Sequence, residues 1–410
     1  MADQAAAPPD AAGPDPARGC PVVHTDYRRG RPLFQTYELL NADRETGPFL
    51  WCGAGDQPFF MITRHEHVLE ALQRPDVFGN EVISALAPDM PIDLLPQDLN
   101  PPEHTTMRRV LNRWFSPAAV RRLEPLVLSR CIELIEEIAP RGECDLVAEF
   151  AIRFPTDMFL ATLGLPVEDG AQFLVWVEKI FDGFFGVDPE GAKRAESDIH
   201  DYFNAAADDR VRRPRDPDTD FLTRMISAEI DGEKISRHDL LVICLTLMAA
   251  GLDTTRSALG YIFYHLATHE TDRRRIVEDP AVIPAAIEEF IRIYPLVFQD
   301  GRVVHEDTDF HGCPMRQGEV IWLGLASANR DPREFENPDE FMLGRPNVSH
   351  HLGFGAGPHR CLGMHLARHE LIIAVREWHQ RIPDYEIATS TQLMERGSQL
   401  SLRTLPLRWG

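Results

Sequence analysis

The sequence lacks any uninterrupted apolar run long enough to cross a membrane. Its longest candidate, residues 240–252, ends at Asp253 and falls well short of the roughly 20 predominantly apolar residues that a helical span needs. The first 30 residues also lack an apolar run and are rich in Ala, Pro, Asp and Gly. We therefore expect residues 1–30 to be a disordered tail rather than a signal peptide or an anchor. Residues 31–410 are expected to form one domain of a cytoplasmic protein with no membrane partner.

Positive charge is scarce as well. The chain has 42 Lys and Arg against 64 Asp and Glu, which gives a formal net charge of −22. This balance argues against nucleic acid or an anionic membrane surface as the main partner. The 44% of hydrophobic residues is ordinary for a globular protein that can bury a prosthetic group.

Paired cysteines are missing from the sequence. The seven cysteines are odd in number and widely scattered, and none belongs to a CxxC pair. Neither a disulfide framework nor a zinc site is expected from such a pattern. Cys131 and Cys244 lie in apolar helical segments, where a thiol usually serves as core filler.

The periodicity predicts a mostly α protein with a minor β component. One long helix is expected to begin at Ser236, because Asp239 three residues later resembles a capping box, and to run to about His269. Its apolar residues lie all round, so it should cross the interior. The other predicted helices are 32–41, 64–73 (opened by Thr63), 104–115, 117–139, 148–163, 168–184, 190–212, 220–228, 272–278, 283–294 and 364–382.

The predicted β structure and irregular segments are short. Strands are expected at 49–51 and 58–62 around a turn at 53–57, at 302–304 and 320–322, and in a C-terminal hairpin. Residues 80–100 contain several prolines and are expected to form an irregular, mobile loop.

One cysteine stands in a context unlike the others. Cys361 follows a glycine-rich loop and precedes the helix predicted from Met364. Amide N–H groups and the helix dipole at such a junction favour a thiolate and tune a metal bound to it. The alternative is a buried structural cysteine on a glycine-rich turn.

The spacing around this cysteine decides between the two. Phe354, Gly357, Cys361 and Gly363 match all four fixed positions of Phe-x-x-Gly-x-x-x-Cys-x-Gly, a match expected by chance in about one chain per thousand. This segment resembles the signature of the cytochrome P450 family, and the chain is closest in pattern to soluble bacterial members of the camphor-hydroxylase branch. The resemblance implies that haem b lies between the long central helix and the cysteine loop, with Cys361 as the axial ligand of its iron.

The long helix carries an acid and a hydroxyl within its apolar run, in Ala250-Gly251-Leu252-Asp253-Thr254-Thr255. Thr254 can bond back to the carbonyl one turn earlier, and Asp253 can pair with an arginine, so the residues alone leave a structural role open. The resemblance implies that Ala250 and Gly251 make the oxygen groove beside the haem. It implies that Thr254 hydrogen-bonds the reacting oxygen and that Asp253 helps to relay protons to it.

Further positions match the family residue by residue. Glu289 and Arg292 match its structural Glu-x-x-Arg pair, with Arg345 as the candidate that closes the charge network. The expected partners of the haem propionates are His104, Arg108, Arg302 and His359.

The substrate is the least constrained element. The sequence has no tyrosine between Tyr37 and Tyr202, so the tyrosine with which camphor-type enzymes hold a substrate carbonyl is absent. We expect an apolar pocket that holds a terpenoid or a small aromatic compound mainly by shape. Its predicted lining is the segment 83–95, in particular Ile83, Ile92 and Leu95, the segment 181–185, and Leu247, Ala250, Val297 and Phe298.

A local excess of basic residues predicts where the electron donor binds. Residues 104–122 contain five arginines and no acid until Glu124, and a solvated helix face is the plain alternative. The resemblance implies that this side docks a ferredoxin, of the 2Fe-2S type, supplied by a separate NAD(P)H-dependent reductase. Arg109 and Arg113 are expected to steer it.

The expected activity is that of a haem-thiolate monooxygenase, which inserts one oxygen atom of O₂ into its substrate. Two alternatives stay open. One is a peroxygenase or dehydratase that keeps the haem, although such enzymes commonly lose the Asp-Thr pair. The other is a non-catalytic haem-binding ligand sensor.

Overall fold

The computed structural model describes residues 19–27, 29–52, 59–90, 92–184, 186–230, 232–298, 300–388, 393–395 and 400–410. Most of the predicted tail at 1–30, the turn at 53–57 and the first residue of the strand expected at 58–62 lie outside them. The helices are α1 (Gln35–Thr46), α2 (His65–Leu72), α3 (Glu103–Asn112), α4 (Pro117–Ile138), α5 (Arg153–Leu163), α6 (Gly170–Phe184), α7 (Pro189–Arg212), α8 (Phe221–Ser227), α9 (Arg237–Thr268), α10 (Glu270–Glu278), α11 (Ile283–Ile293), α12 (Leu325–Asn329) and α13 (Met364–Arg381).

Side-chain caps fix several helix starts, and one expected cap is wrong. The hydroxyl of Ser236 accepts a hydrogen bond from the backbone N–H of Asp239 at 3.0 Å and begins α9 as predicted. Thr63 does not open α2, which begins at His65 after an N-cap residue without a side-chain bond. The hydroxyl of Thr63 instead donates to the carbonyl of Gly47 at 2.9 Å. The helix expected over 148–163 is a π-helical turn, Val147–Ala151, followed by α5.

The strands are β1 (Val22–Val23), β2 (Arg31–Pro32), β3 (Phe49–Cys52), β4 (Phe59–Ile62), β5 (Phe78–Gly79), β6 (Glu143–Asp145), β7 (Glu229–Ile230), β8 (Glu233–Lys234), β9 (Asp300–Val304), β10 (Thr308–Phe310), β11 (Cys313–Met315), β12 (Val320–Leu323), β13 (Glu386–Ile387), β14 (Met394–Glu395) and β15 (Pro406–Arg408). The largest sheet has the order β1-β3-β4-β12-β9-β5. The C-terminal strands are not one hairpin, because β15 lies between β13 and β6 and β14 pairs with β2.

Helix α9 joins the two main parts of the core. Its first half, up to Leu252, packs among apolar residues of α3, α5, α6, α7 and α8. Its second half, from Ala258, packs among those of α4, α11 and α13. Among the described helices, α9 alone is long and apolar enough to cross a membrane by composition. Because two-thirds of its most apolar stretch is buried inside the protein, it is a core helix. Its middle, around Gly251 and Thr254, lines the cavity described below.

Candidate active site

A cavity of about 410 Å³ lies between the middle of α9 and the loop that carries Cys361. Leu247, Ala250, Gly251 and Thr254 line it from α9. Phe354, Gly355, Cys361, Leu362 and Gly363 line it from the opposite side. The structure therefore brings together the two segments from which the sequence predicted a haem site.

The backbone of the cysteine loop holds Cys361 in place. Its N–H donates to the carbonyl of Phe354 at 2.8 Å. The backbone N–H groups of Gly363 and Met364, where α13 begins, favour the thiolate form of its sulfur. Burial raises the pKa of the Cys361 thiol, while these amides and the charges of Arg108 and Arg368 act against the rise. These donors favour the thiolate, and desolvation opposes it.

Two glycines explain why the loop can take this shape. Gly355 and Gly357 have φ of 64° and 66°, in the left-handed region that favours glycine. A Cβ at Gly357 would lie 2.2 Å from the carbonyl oxygen of Leu72. A Cβ at Gly363 would meet nothing within 4 Å, which agrees with a backbone that opens directly on the cavity.

Two buried histidines at one side of the cavity carry unsatisfied ring nitrogens. His104 and His359 stack with their ring centroids 3.8 Å apart. No described residue bonds to either nitrogen of either ring. Burial lowers the pKa of His104 to about 4, and burial with the neighbouring cations lowers that of His359 to about 2. Buried polar nitrogens without partners are costly, so these rings are suited to an anionic ligand.

Two arginines complete this cluster. Arg108 lines the cavity, bonds Asn112 at 3.2 Å and also donates to the carbonyl of Arg360. The buried Arg302 donates to Asp300 at 2.7 Å. Arg108 and His359 reach the cavity directly, whereas His104 and Arg302 are not among the described residues that line it.

These groups fit haem. The cavity has a thiol on one wall, a helix with small residues on the opposite wall, and histidine and arginine donors suited to propionates at one side. In the described part of the chain, no group of three or more His, Cys, Asp or Glu could hold a metal ion.

The hydroxyl and the acid of α9 have local partners. Thr254 lines the cavity, and its hydroxyl donates to the carbonyl of Ala250 at 2.9 Å. Asp253 is buried and forms an ion pair with Arg256 one turn later. Asp253 does not appear in the cavity lining formed by the described residues. Its route to the cavity would therefore require this ion pair to open.

The predicted substrate lining is largely in place. Ile83, Leu247, Ala250, Val297 and Phe298 line the cavity, as do Phe181 and Phe184, whereas Phe185 lies outside the described residues. The prediction of Ile92 and Leu95 is wrong, because neither is among the described residues that line the cavity. Leu94 and Pro96 of the same loop do line it. Ile92 is buried against helical core residues instead. Phe159 and Thr246 also line the cavity, from α5 and α9, and were not predicted from the sequence.

A buried carboxyl was missed as well. Glu370 of α13 lines the cavity and is 4% exposed. Burial raises its pKa to about 8, so this carboxyl is mostly protonated at neutral pH. The available signal was an acid directly before the apolar stretch 371–375, the same kind of signal that marked Asp253.

The charge network predicted from the sequence is formed. Arg292 donates twice to Glu289, each time at 2.8 Å. Arg345 donates to both oxygens of the same carboxylate at 3.0 and 3.1 Å. All three side chains are buried, and the arginines also bond the carbonyls of 329, 336–338 and 340.

The arginines expected to meet a redox partner lie at the surface. Arg109 lies in α3 and Arg113 is the C-cap residue of the same helix, and both are exposed. Arg360, directly before Cys361, is exposed too. Exposed positive charge therefore lies on the cysteine loop, at Arg360, and on α3, whose Arg108 contacts that loop.

Known proteins show the same sequence pattern and fold. A sequence model of the family described as Cytochrome P450 matches residues 167–378. The probable cytochrome P450 127A1 of Sinorhizobium fredii is 32% identical over 96% of this chain and 90% of its own. The steroid C26-monooxygenase of Mycobacterium tuberculosis is 30% identical over 80% and 88% of the two chains.

Solved structures agree with these relatives. The crystal structure of CYP101C1 matches with a TM-score of 0.85 and 26% identity, over 95% of this chain and 97% of that one. That of CYP101J2 matches with a TM-score of 0.84 and 28% identity, over the same shares. The chain belongs to the cytochrome P450 family and is a monooxygenase whose cofactor is haem.

Proposed function

We propose that this P450 inserts one oxygen atom of O₂ into a small to medium apolar substrate, with electrons that pass from NAD(P)H through a separate reductase and a 2Fe-2S ferredoxin. We place it in the cytoplasm, with residues 31–410 as one catalytic domain. The observation that carries the proposal is the cavity itself, a mostly apolar space that both Cys361 and Thr254 line.

Each part of the cavity has a separate role in this proposal. Cys361 would hold the haem iron through its sulfur, and Phe354, Gly357 and Gly363 shape the loop around it. Arg108 and His359, together with the neighbouring His104 and Arg302, would donate to the propionates. When bound, haem supplies the binding and reductive activation of O₂. Ala250 and Gly251 leave room beside it on α9.

Thr254 and Asp253 take part in proton transfer in this proposal. Because the Thr254 hydroxyl gives its own proton to the Ala250 carbonyl, its oxygen presents lone pairs to the cavity and can hold a water or a protonated group there. Asp253 carries protons inward when its pairing with Arg256 opens. Positioned proton transfer of this kind contributes about 10²–10⁴-fold to rate in enzymes.

Replacement of Thr254 tests this role. In the system reconstituted with ferredoxin, reductase and NAD(P)H, Thr254→Ala is expected to lower product formation by at least about tenfold, while NAD(P)H is still consumed and hydrogen peroxide accumulates. Thr268→Ala is the matched control, because Thr268 makes the same bond to the carbonyl four residues earlier in α9. Product formed from hydrogen peroxide as fast as from ferredoxin and NAD(P)H would instead favour the peroxygenase alternative.

The exposed arginines support the electron route. A ferredoxin is acidic in this proposal, so Arg109 and Arg113 raise its rate of encounter more than its affinity. At limiting ferredoxin and low salt, Arg109→Glu should slow turnover by about tenfold, and the difference should shrink as salt screens the charges. Arg212→Glu on α7 makes the same charge change on another helix. Turnover that depends neither on salt nor on Arg109 would remove this docking surface.

The cavity lining supports an apolar substrate. Ile83, Leu247, Phe298 and the phenylalanines of α5 and α6 provide apolar contacts, with few polar groups to fix orientation. We expect terpenoids or small aromatic compounds to shift the haem absorption spectrum in a titration. Their dissociation constants should lie in the micromolar range, which corresponds to a binding free energy of about −8 kcal/mol. A response only to charged or large polar compounds would contradict this substrate class.

A further inference from the structure

Two cysteines far apart in sequence meet outside the cavity. The sulfurs of Cys20 and Cys313 lie 3.3 Å apart. Cys20 comes just before β1, and Cys313 begins β11 directly after the turn His311-Gly312. Neither is among the described residues that line the active-site cavity.

The two thiols differ in exposure. Cys313 is 2% exposed, within an apolar cluster that includes residues of β3, β4 and β12, and Cys20 is half-buried against the same cluster. A small reagent can therefore reach the Cys20 sulfur first and leave Cys313 as the neighbour that attacks next. Gly19, with φ of 66°, lets the chain turn just before Cys20.

We propose that Cys20 and Cys313 are a modification site, where a low-molecular-weight disulfide such as oxidised glutathione converts the two thiols to an intramolecular disulfide. The bond would tie residues 19–23 to the β10–β11 hairpin. The sulfurs need to approach from 3.3 Å to about 2.05 Å, which a small shift of the chain around Cys20 can provide.

The chemistry balances in two exchange steps. The deprotonated Cys20 sulfur attacks one sulfur of oxidised glutathione, forms a mixed disulfide and releases one glutathione, which takes up a proton. The deprotonated Cys313 sulfur then attacks the Cys20 sulfur and releases the second glutathione, which takes up the other proton. Two protein thiols are oxidised by two electrons, and one small disulfide is reduced to two thiols.

The other buried thiols do not offer this arrangement. Cys131, Cys144 and Cys244 are buried, and among the described residues none of them has a second cysteine sulfur within hydrogen-bond distance, as Cys20 and Cys313 have. Cys52 is buried, with its sulfur 3.9 Å from the carbonyl of Thr25, and makes a matched control.

The test incubates the full-length haem-loaded protein in glutathione buffers of rising oxidised fraction. Digestion without reduction, followed by mass spectrometry, then identifies the linked peptides. Wild type and Cys52→Ser are expected to gain the Cys20–Cys313 cross-link and to lose two alkylatable thiols together. Their melting temperature should rise on oxidation, because a cross-link over so long a loop restricts the unfolded chain.

The variants separate the two steps. Cys313→Ser should stop at a glutathione mixed disulfide on Cys20, and Cys20→Ser should form neither product and show no rise in melting temperature. Cys20→Ser keeps the test informative if Cys313→Ser does not fold, because Cys20 is only half-buried. Wild type that retains glutathione on Cys20 without the cross-link, or that cross-links another cysteine instead, would overturn the proposal.

Discussion

Replacing Cys361 by His is expected to abolish the long-wavelength Soret band of the reduced, carbon monoxide-bound protein. A neutral imidazole donates less electron density to iron than a thiolate and gives a different band. Monooxygenase turnover should fall by more than about 100-fold, because changes of residues that only support a metal ligand already cost about 10–100-fold. The spectrum reports the ligand even if the variant is inactive, so it separates ligation from catalysis.

The control for this result is another cysteine of the same chain. Cys52 is buried and is not among the described residues lining the cavity, so Cys52→Ser should keep the wild-type band. If wild type bound no haem, or showed an imidazole-type band, Cys361 could not be the axial ligand. A Cys361→His variant with the wild-type band would lead to the same conclusion.

Local signals in the sequence predicted the features that neighbouring residues determine. Ser236 caps α9 because its partner is the amide of Asp239, three residues away. Thr63 stands before a helical pattern too, yet its hydroxyl bonds Gly47 on another segment. The difference is a tertiary contact, which propensity and spacing do not contain. The cysteine motif belongs to the first kind, since Phe354 and Cys361 meet within one loop.

The residues of the site could be predicted where a helix or a motif fixes the direction of their side chains. They could not be predicted where the backbone is irregular. Residues 247, 250 and 254 follow the helical period and line the cavity together. In the loop 80–100 no period shows which side chains point inward, so Pro96 was missed and Ile92 and Leu95 were wrongly placed. Cys20 and Cys313, 293 residues apart, carry no sequence signal that relates them.

The network of Glu289, Arg292 and Arg345 gives the second large expected effect. Their exposed fractions are 0%, 0% and 3%, and the single carboxylate pairs with both guanidinium groups. Glu289→Gln keeps the shape but leaves two buried cations facing each other without an anion. Breaking a buried pair in this way costs about 3–5 kcal/mol, so the free energy of unfolding in denaturant should fall by that amount.

An exposed ion pair provides the comparison. Glu133 pairs with Arg130 at 3.0 Å, and its side chain is 55% exposed, so Glu133→Gln should cost less than about 1 kcal/mol. Glu289→Gln should also release haem faster, because Glu289 accepts from the N–H of Met342 and Arg345 bonds the carbonyls of 336, 337 and 340, in the segment that leads to the cysteine loop. The opposite result would be a free energy of unfolding for Glu289→Gln within about 1 kcal/mol of that for Glu133→Gln, together with an equal rate of haem loss. In that case the bonds from the two arginines to backbone carbonyls would hold this segment without the carboxylate.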